Sequence, residues 1–377
     1  MLIYLSFILA VFVFFTAIFP LKIHYLWKWA IFGILTAVSQ KYLLLYLFGG
    51  RVFFAPSLPR WLILFTAWLY AILITWFGLL LVSAIVRLAI RWYYRRKEKT
   101  LPENWRTWVI RSHFFLLALA VISTSLGLWW GISLPEVRER TIFLKDLPAN
   151  AEGMKIAFLT DLHIDSITEP EYIKEIVRRT NAAKPDLIVL AGDNMDGTVE
   201  RCCSKVILLK ELNAPLGVWG VPGNHEYYSG YAQWVYFLER EAGIKMLLNR
   251  SEKLPNGVYL AGVTDVAAKR FHEELPDVKK AAGNMKPEDC GILLAHNPKL
   301  AHEAKNMFDL QLSGHTHGGM ILGMDLVVRQ MNGGFVSGLY NVGDLQLYLS
   351  NGTAIWSGFP IRFGRPSEIT LITLRKK

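Results

Sequence analysis

The spacing of apolar positions changes character along the chain. Up to about residue 132 they form four nearly unbroken runs, Leu2 to Phe19, Trp27 to Phe48, Trp61 to Val86 and Val109 to Ile132. Each approaches or exceeds the roughly 20 residues that a helix needs to cross a bilayer, and Trp and Tyr stand near several of the ends. The pattern predicts a four-helix transmembrane region over residues 1–132. The first run has no basic residue ahead of it and ends Ile-Phe-Pro-Leu-Lys, without a small-residue cleavage site, so it is expected to be retained as a helix. Residues 133–153, with Pro135 and Pro148, form a linker carrying one short strand, Thr141 to Leu144.

From Met154 to Lys377 the runs are short and separated by amphipathic stretches. Strands are predicted at Lys155 to Thr160, Leu187 to Ala191, Gly217 to Val221, Val258 to Ala261, Ile292 to Ala295, Leu310 to Leu312, Leu345 to Leu349 and Ile369 to Leu374. Helical spacing falls at Glu171 to Ala183, Val206 to Leu212 and Tyr231 to Ala242. The alternation predicts an α/β domain built from βαβ units over residues 154–377.

Charge sharpens this division. The formal net charge of +10 suggests a nucleic-acid surface, but residues 1–132 hold 13 Lys and Arg against Glu98 and Glu103 alone, while the rest holds 28 basic and 29 acidic residues. The excess is a topology signal, and no nucleic-acid partner is expected. Eight of the basic residues lie between Arg87 and Arg111, so the connection between the third and fourth runs belongs in the cytoplasm, with Lys22 and Lys28. The N-terminus, the loop from Arg51 to Arg60 and everything after Ile132 then lie outside, given a count of four helices. A re-entrant run would change the side. The expected setting is the plasma or inner membrane, with the second domain extracytoplasmic and the lipid bilayer as partner. Lys41 interrupts the second run beside Ser39 and Gln40, and its long stem is expected to snorkel to the interface. Cys202, Cys203 and Cys290 show no ligand spacing and make a poor disulfide framework.

Metal-capable side chains sit just after the predicted strands: Asp161 and His163 in Thr-Asp-Leu-His, Asp193 in Ala-Gly-Asp-Asn, Asn224 and His225 in Gly-Asn-His-Glu, His296 in Ala-His-Asn-Pro, and His315 and His317 in Gly-His-Thr-His. That is the edge where open α/β sheets place ligands. Asp193, with two carboxylate oxygens, is best placed to be shared by two divalent cations. The Asp161-x-His163 and His315-x-His317 pairs reach one cavity if the backbone there is extended. Two cations roughly 3.5–4 Å apart activate water and neutralise phosphoryl oxygens. Mn suits this donor set, and Fe, Zn, Co and Ni also fit. Asp165, Asp196 and Glu226 are expected to support the ligands or to cap helices, and His24, His113, His272 and His302 to be structural.

In their order these five blocks resemble the calcineurin-like metallophosphoesterase superfamily, over about 220 residues. The resemblance implies two mixed β-sheets in a sandwich flanked by helices. It implies Asp161, His163, Asp193 and His317 on one metal, and Asp193, Asn224, His296 and His315 on the other. His225 would contact the phosphate and protonate the leaving oxygen. Phe335 to Tyr340 and Tyr348 to Arg362 are similar to the membrane-associated bacterial branch and to the transmembrane proteins with a metallophosphoesterase domain, except that Ser350-Asn351-Gly352 stands where that branch has Ser-Arg-Gly. Arg362 is a substrate-phosphate contact or a carboxylate partner. The expected activity is hydrolysis of a lipid-linked or cell-envelope phosphoester or pyrophosphate. The alternatives are a UDP-diacylglucosamine pyrophosphohydrolase and a sensor that binds a phosphorylated ligand without turnover.

Overall fold

The computed structural model describes residues 2–50, 55–165 and 167–377, so Arg51 of the expected external loop lies outside the described residues. The chain forms two compact units, Met1–Trp129 with Gly358–Ile361, and Trp130–Ser357 with Arg362–Lys377.

The first unit is helical. It holds α1 (Leu2–Val13), running on as a π-helical turn Phe14–Ile18, then α2 (Tyr25–Ser39), α3 (Lys41–Phe48), α4 (Arg60–Arg96) and α5 (Trp105–Ile132), whose last turn belongs to the second unit. Four spans were expected, but among the described residues only α4 and α5 are each long and apolar enough to cross a membrane. The pair α2 and α3 is bent by 65° and makes a third span only if the broken helix is counted as one. The break falls at Gln40, whose amide turns back onto Thr36 and Ala37 carbonyls, while Ser39 Oγ also bonds the Thr36 carbonyl at 2.7 Å. Side-chain back-bonding of this kind favours a bend in a helix. The first run yields only a shorter apolar helix. Lys41 does not snorkel: it is 2% exposed, and its Nζ donates to the Gly358 carbonyl at 2.6 Å, which also accepts from Tyr42 Oη at 3.1 Å.

The second unit is a sandwich of two mixed sheets. In the first, the order is β1 (Glu136–Leu144), β12 (Glu368–Lys376), β2 (Lys155–Leu159), β3 (Leu187–Ala191), β4 (Val218–Val221) and β5 (Lys245–Met246). Here β2 to β5 are parallel, and β12 is antiparallel to β2. The second sheet is ordered β10 (Gly338–Val342), β11 (Leu345–Leu349), β9 (Leu310–Ser313), β8 (Gly291–Leu294), β7 (Tyr259–Gly262) and β6 (Arg250–Lys253). Strands β7, β8, β9 and β11 are parallel and the two edge strands antiparallel. Alternation along the strands builds the layers. Ile156 and Phe158 of β2 with Leu187 and Val189 of β3 meet Leu260, Ile292, Leu294 and Leu312 between the sheets. Ala157, Leu159, Ile188 and Leu190 face the helices α6 (Pro170–Ala182), α7 (Val199–Val206) and α9 (Tyr231–Arg240), packing on Ile173, Ile176 and Trp234. Both faces are covered, so these strands are apolar throughout.

Strand β1 is longer than the expected Thr141 to Leu144 because its first half, Glu-Val-Arg-Glu-Arg, is exposed edge backbone paired in parallel with β12. The segment expected as a linker is therefore part of the sheet. The edge strands β5, β6 and β10 have no apolar run to announce them.

Candidate metal centre

Parallel strands of both sheets end at one edge, and each metal-capable block leaves a strand there. Asp161 and His163 follow β2, Asp193 follows β3, and Asn224 and His225 open the short helix α8 (Asn224–Ser229) after β4. His296 follows β8, while His315 and His317 follow β9. The backbone at these ends is not extended, as the x-separated pairs were expected to require. Asp161, His163, Asp193, His315 and His317 all have positive φ, 55°, 42°, 53°, 77° and 49°. That conformation is unfavourable for residues with a Cβ and is kept where a site demands it. The left-handed turns swing the side chains of each pair into one cavity. Neighbouring glycines permit the approach: a Cβ on Gly314 would lie 2.3 Å from Asp161 Oδ2, and one on Gly223 2.3 Å from Asp193 Oδ1.

The ligand-capable atoms gather in overlapping groups. Asp161, His163 and His317 form one, and Asp193, His296 and His315 another. His317 Nε2 is 3.1 Å from His163 Nε2 and 3.4 Å from Asp161 Oδ1. In the other group, His296 Nε2 is 3.1 Å from Asp193 Oδ2, and His315 Nδ1 is 2.9 Å from Asn224 Oδ1 and 3.3 Å from His296 Nε2. Asp193 lies between the groups, since its Oδ2 is also 3.9 Å from His163 Nε2. The structure thus brings together all seven residues expected to hold metal.

Residues behind the cluster aim it. Asp196 spans two imidazoles, 3.1 Å from His163 Nδ1 and 2.5 Å from His225 Nδ1, and the Ala191 carbonyl accepts from His296 Nδ1 at 2.8 Å. Each contact leaves Nε2 turned inward. Glu226 accepts from the amides of Asp193, Asn194 and Gly223, tying the ends of β3 and β4 together. Asp165 instead caps its own loop through the Ile167 amide.

The electrostatics of these groups test whether cations belong here. Burial raises the Asp161 carboxyl. Burial also opposes ionisation of Asp193, yet His296 and His225 hold it well below the usual carboxylate range. His296 is penalised by burial but lifted well above the ordinary imidazole value by Asp193. Burial and then His296 drive His315 down to about 3, and burial and then His163 drive His317 well below its ordinary value. The imidazoles of His315 and His317, kept neutral, converge here with buried carboxylates, donor types that divalent cations accept.

His225 stands beside the cluster, 3.9 Å from Asp193 Oδ2 through Nε2, with Tyr228 and Trp356 rings 5.3 and 6.1 Å away. Trp356 was not anticipated, since one Trp in a Gly-rich stretch has no signature of its own. Arg362 is fully buried rather than presented to the cluster. Its guanidinium donates to the carbonyls of Ala354, Arg365 and His317, and its Nη2 lies 3.3 Å from His317 Nδ1. Asn351 accepts from Ser337 Oγ at 2.6 Å and is scaffold under Gly318. Among the described residues, His24, His113, His272 and His302 join none of the metal-capable groups.

The calcineurin-like phosphoesterase model matches residues 154–319. An uncharacterized metallophosphoesterase of Helicobacter pylori is 35% identical over 254 residues, 67% of this chain and 67% of its own. One from Campylobacter jejuni is 31% identical over 269 residues, 70% of each chain. The transmembrane protein with metallophosphoesterase domain of Danio rerio is 28% identical over 365 residues, 93% of this chain and 80% of its own, so that similarity takes in the apolar helices. The chain belongs to the calcineurin-like metallophosphoesterase family and is a metal-dependent phosphoester hydrolase with a membrane-type N-terminal region.

Proposed function

We propose that the protein is a dinuclear enzyme that hydrolyses a phosphoester or pyrophosphate of an amphiphilic, lipid-linked or envelope substrate on the extracytoplasmic side of the membrane. The observation that carries the dinuclear reading is the placement of Asp193 between two groups of ligand-capable atoms. Asp161, His163, Asp193 and His317 would hold one cation, and Asp193, Asn224, His296 and His315 the other. Bound there, divalent ions supply an activated water and neutralise phosphoryl charge, and Mn is the ion we favour.

The protein's own residues do the remainder. Burial lowers the His225 imidazole, but Asp196 and Asp193 more than offset this and lift it to about 9. The two carboxylates thus favour the protonated form of His225 in the metal-free protein, with Nδ1 held by Asp196 and Nε2 toward the cluster, a placement that suits protonation of a leaving alkoxide. Trp356 and Tyr228 beside it offer apolar surface to a substrate.

Amphiphilic substrate is favoured by the tether. Only Ser133, Leu134 and Pro135 separate α5 from β1. A span of that length reaches at most about 14 Å, counted from Ile132 to Glu136. The side of the membrane follows from α5. The basic connection between α4 and α5 is drawn to the cytoplasm, and a single crossing by α5 carries the next domain to the other face, whatever the helices before α4 do. Two results are expected. Incubating the reconstituted protein and Mn with an envelope-lipid extract should deplete a phosphorylated lipid species by mass spectrometry, and depletion only of water-soluble phosphoesters would overturn the amphiphilic reading. A reporter fused after Lys377 should be active only outside the cytoplasm. A cytoplasmic signal would reverse the orientation and restore a UDP-linked lipid precursor as substrate.

A further inference from the structure

Arg362, which touches His317, also lines a cavity of about 340 Å³ together with Trp130, Arg138, Arg365 and Ser367, with Glu136 and Leu134 at its wall. Three of these residues carry buried polar atoms, Arg362 Nε, Arg365 Nε and Ser367 Oγ, that have no hydrogen-bond partner among the described residues. A buried donor left unpaired is costly, more so for a charged group, and is kept where a ligand completes it. Arg362 is 0% exposed and Ser367 5%, so neither is a surface side chain satisfied by bulk water.

Charge selects the ligand. Arg365 is partly neutralised by Asp325 at 2.9 Å, and Arg138 lies 3.9 Å from Glu368. Arg362 forms no ion pair within 4 Å among the described residues and spends its terminal nitrogens on carbonyls and His317. Of the three guanidinium groups, those of Arg365 and Arg138 have a carboxylate within 4 Å and that of Arg362 has none among the described residues, and planar forked donors match phosphate oxygens. Trp130, Leu134 and Pro366 give the wall apolar surface, with Trp130 tilted against Phe363 at 5.5 Å between ring centres. Trp130 stands in the last turn of α5, where an aromatic marks the bilayer boundary.

We propose that this cavity is a second site that binds a phosphate-bearing anion, with Arg362 Nε, Arg365 Nε and Ser367 Oγ as its donors. Its position at the end of a span makes the headgroup of an anionic lipid one source of that phosphate, and free phosphate is the other. Because Arg362 touches both this cavity and His317, occupancy here is structurally joined to the metal centre.

The test is binding to the full chain in nonionic detergent after chelation, followed by titration calorimetry with dihexanoyl phosphatidic acid, dihexanoyl phosphatidylcholine and inorganic phosphate. Phosphatidic acid should bind one per chain and phosphatidylcholine should not. The pair of substitutions Arg138→Gln with Ser367→Ala, and separately Arg365→Gln, should each weaken binding about tenfold or more. Unchanged circular-dichroism melting would show that these variants fold. Inorganic phosphate binding as tightly as the lipid, with the same sensitivity to the variants, would keep the site and make its ligand soluble. Absence of all binding would overturn the proposal, as would binding equal in these variants and lost in His225→Ala, which would assign the anion to the metal centre. The metal-free protein is used throughout, so failure here leaves the hydrolytic reading standing.

Discussion

Replacing Asp193 by asparagine is expected to lower Mn-dependent cleavage of bis(p-nitrophenyl) phosphate by about a thousandfold or more. One positioned donor in an active site is already worth about 10²–10³ in rate, and this carboxylate faces both ligand groups, 3.1 Å from His296 and 3.9 Å from His163. The amide keeps the volume and an oxygen that can accept from the His225 amide, which now donates to Asp193 Oδ1 at 2.8 Å. Folding should therefore survive, and a circular-dichroism melt run beside the assay separates lost chemistry from lost structure. Activity within tenfold of the parent in a folded variant would refute the shared-ligand arrangement. Asp161→Asn touches only one group and is expected to cost less than Asp193→Asn.

Loading the metal-free protein with Mn should release protons and raise its melting temperature. His296, lifted well above its ordinary value by Asp193 despite the burial that opposes its charge, carries a proton that a cation must displace. The pH dependence follows in sign. A histidine whose folded value is raised stabilises fully below its unfolded value and loses that contribution as pH rises through the folded one. For His225 that window runs from its ordinary value of 6.5 to about 9. The metal-free protein should thus lose stability across that interval, while metal affinity increases with pH as His296 gives up its proton. At a hundredfold excess of ion over Kd, binding adds about 2.7 kcal/mol, or about 5–10 °C for a domain of this size. Differential scanning calorimetry, with titrations in two buffers of different ionisation enthalpy, measures both effects. No proton release at neutral pH, or a melting temperature indifferent to Mn and to chelator, would contradict this account.

Much of the site was legible in advance because its information is local. A block of Asp, Asn and His after a short apolar run places those side chains at a strand's carboxyl end, and five such blocks in order left little freedom for Asp161, His163, Asp193, Asn224, His296, His315 and His317. The setting of Arg362 was not legible, and for Asp196 a supporting role was, but not which ligands it would support. Asp196 works by touching His163 and His225, 33 and 29 positions away, and nothing in its neighbours along the chain marks that.

The sequence by itself determined two parts of different solvation and the α/β alternation, because apolar runs of twenty and of five residues record directly which solvent each segment must meet. It also determined which metal-capable side chains were available, because coordination depends on residue type. Tertiary structure decided the remainder. It broke the second apolar run at Gln40 and drew Lys41 inward to Gly358, since a polar side chain with a buried carbonyl to bind need not reach water. It turned Asp161, His163, Asp193, His315 and His317 into left-handed conformations that no local preference would select. Those conformations persist only because two sheets packed face to face bring the ends of β2, β3, β4, β8 and β9 to a single edge.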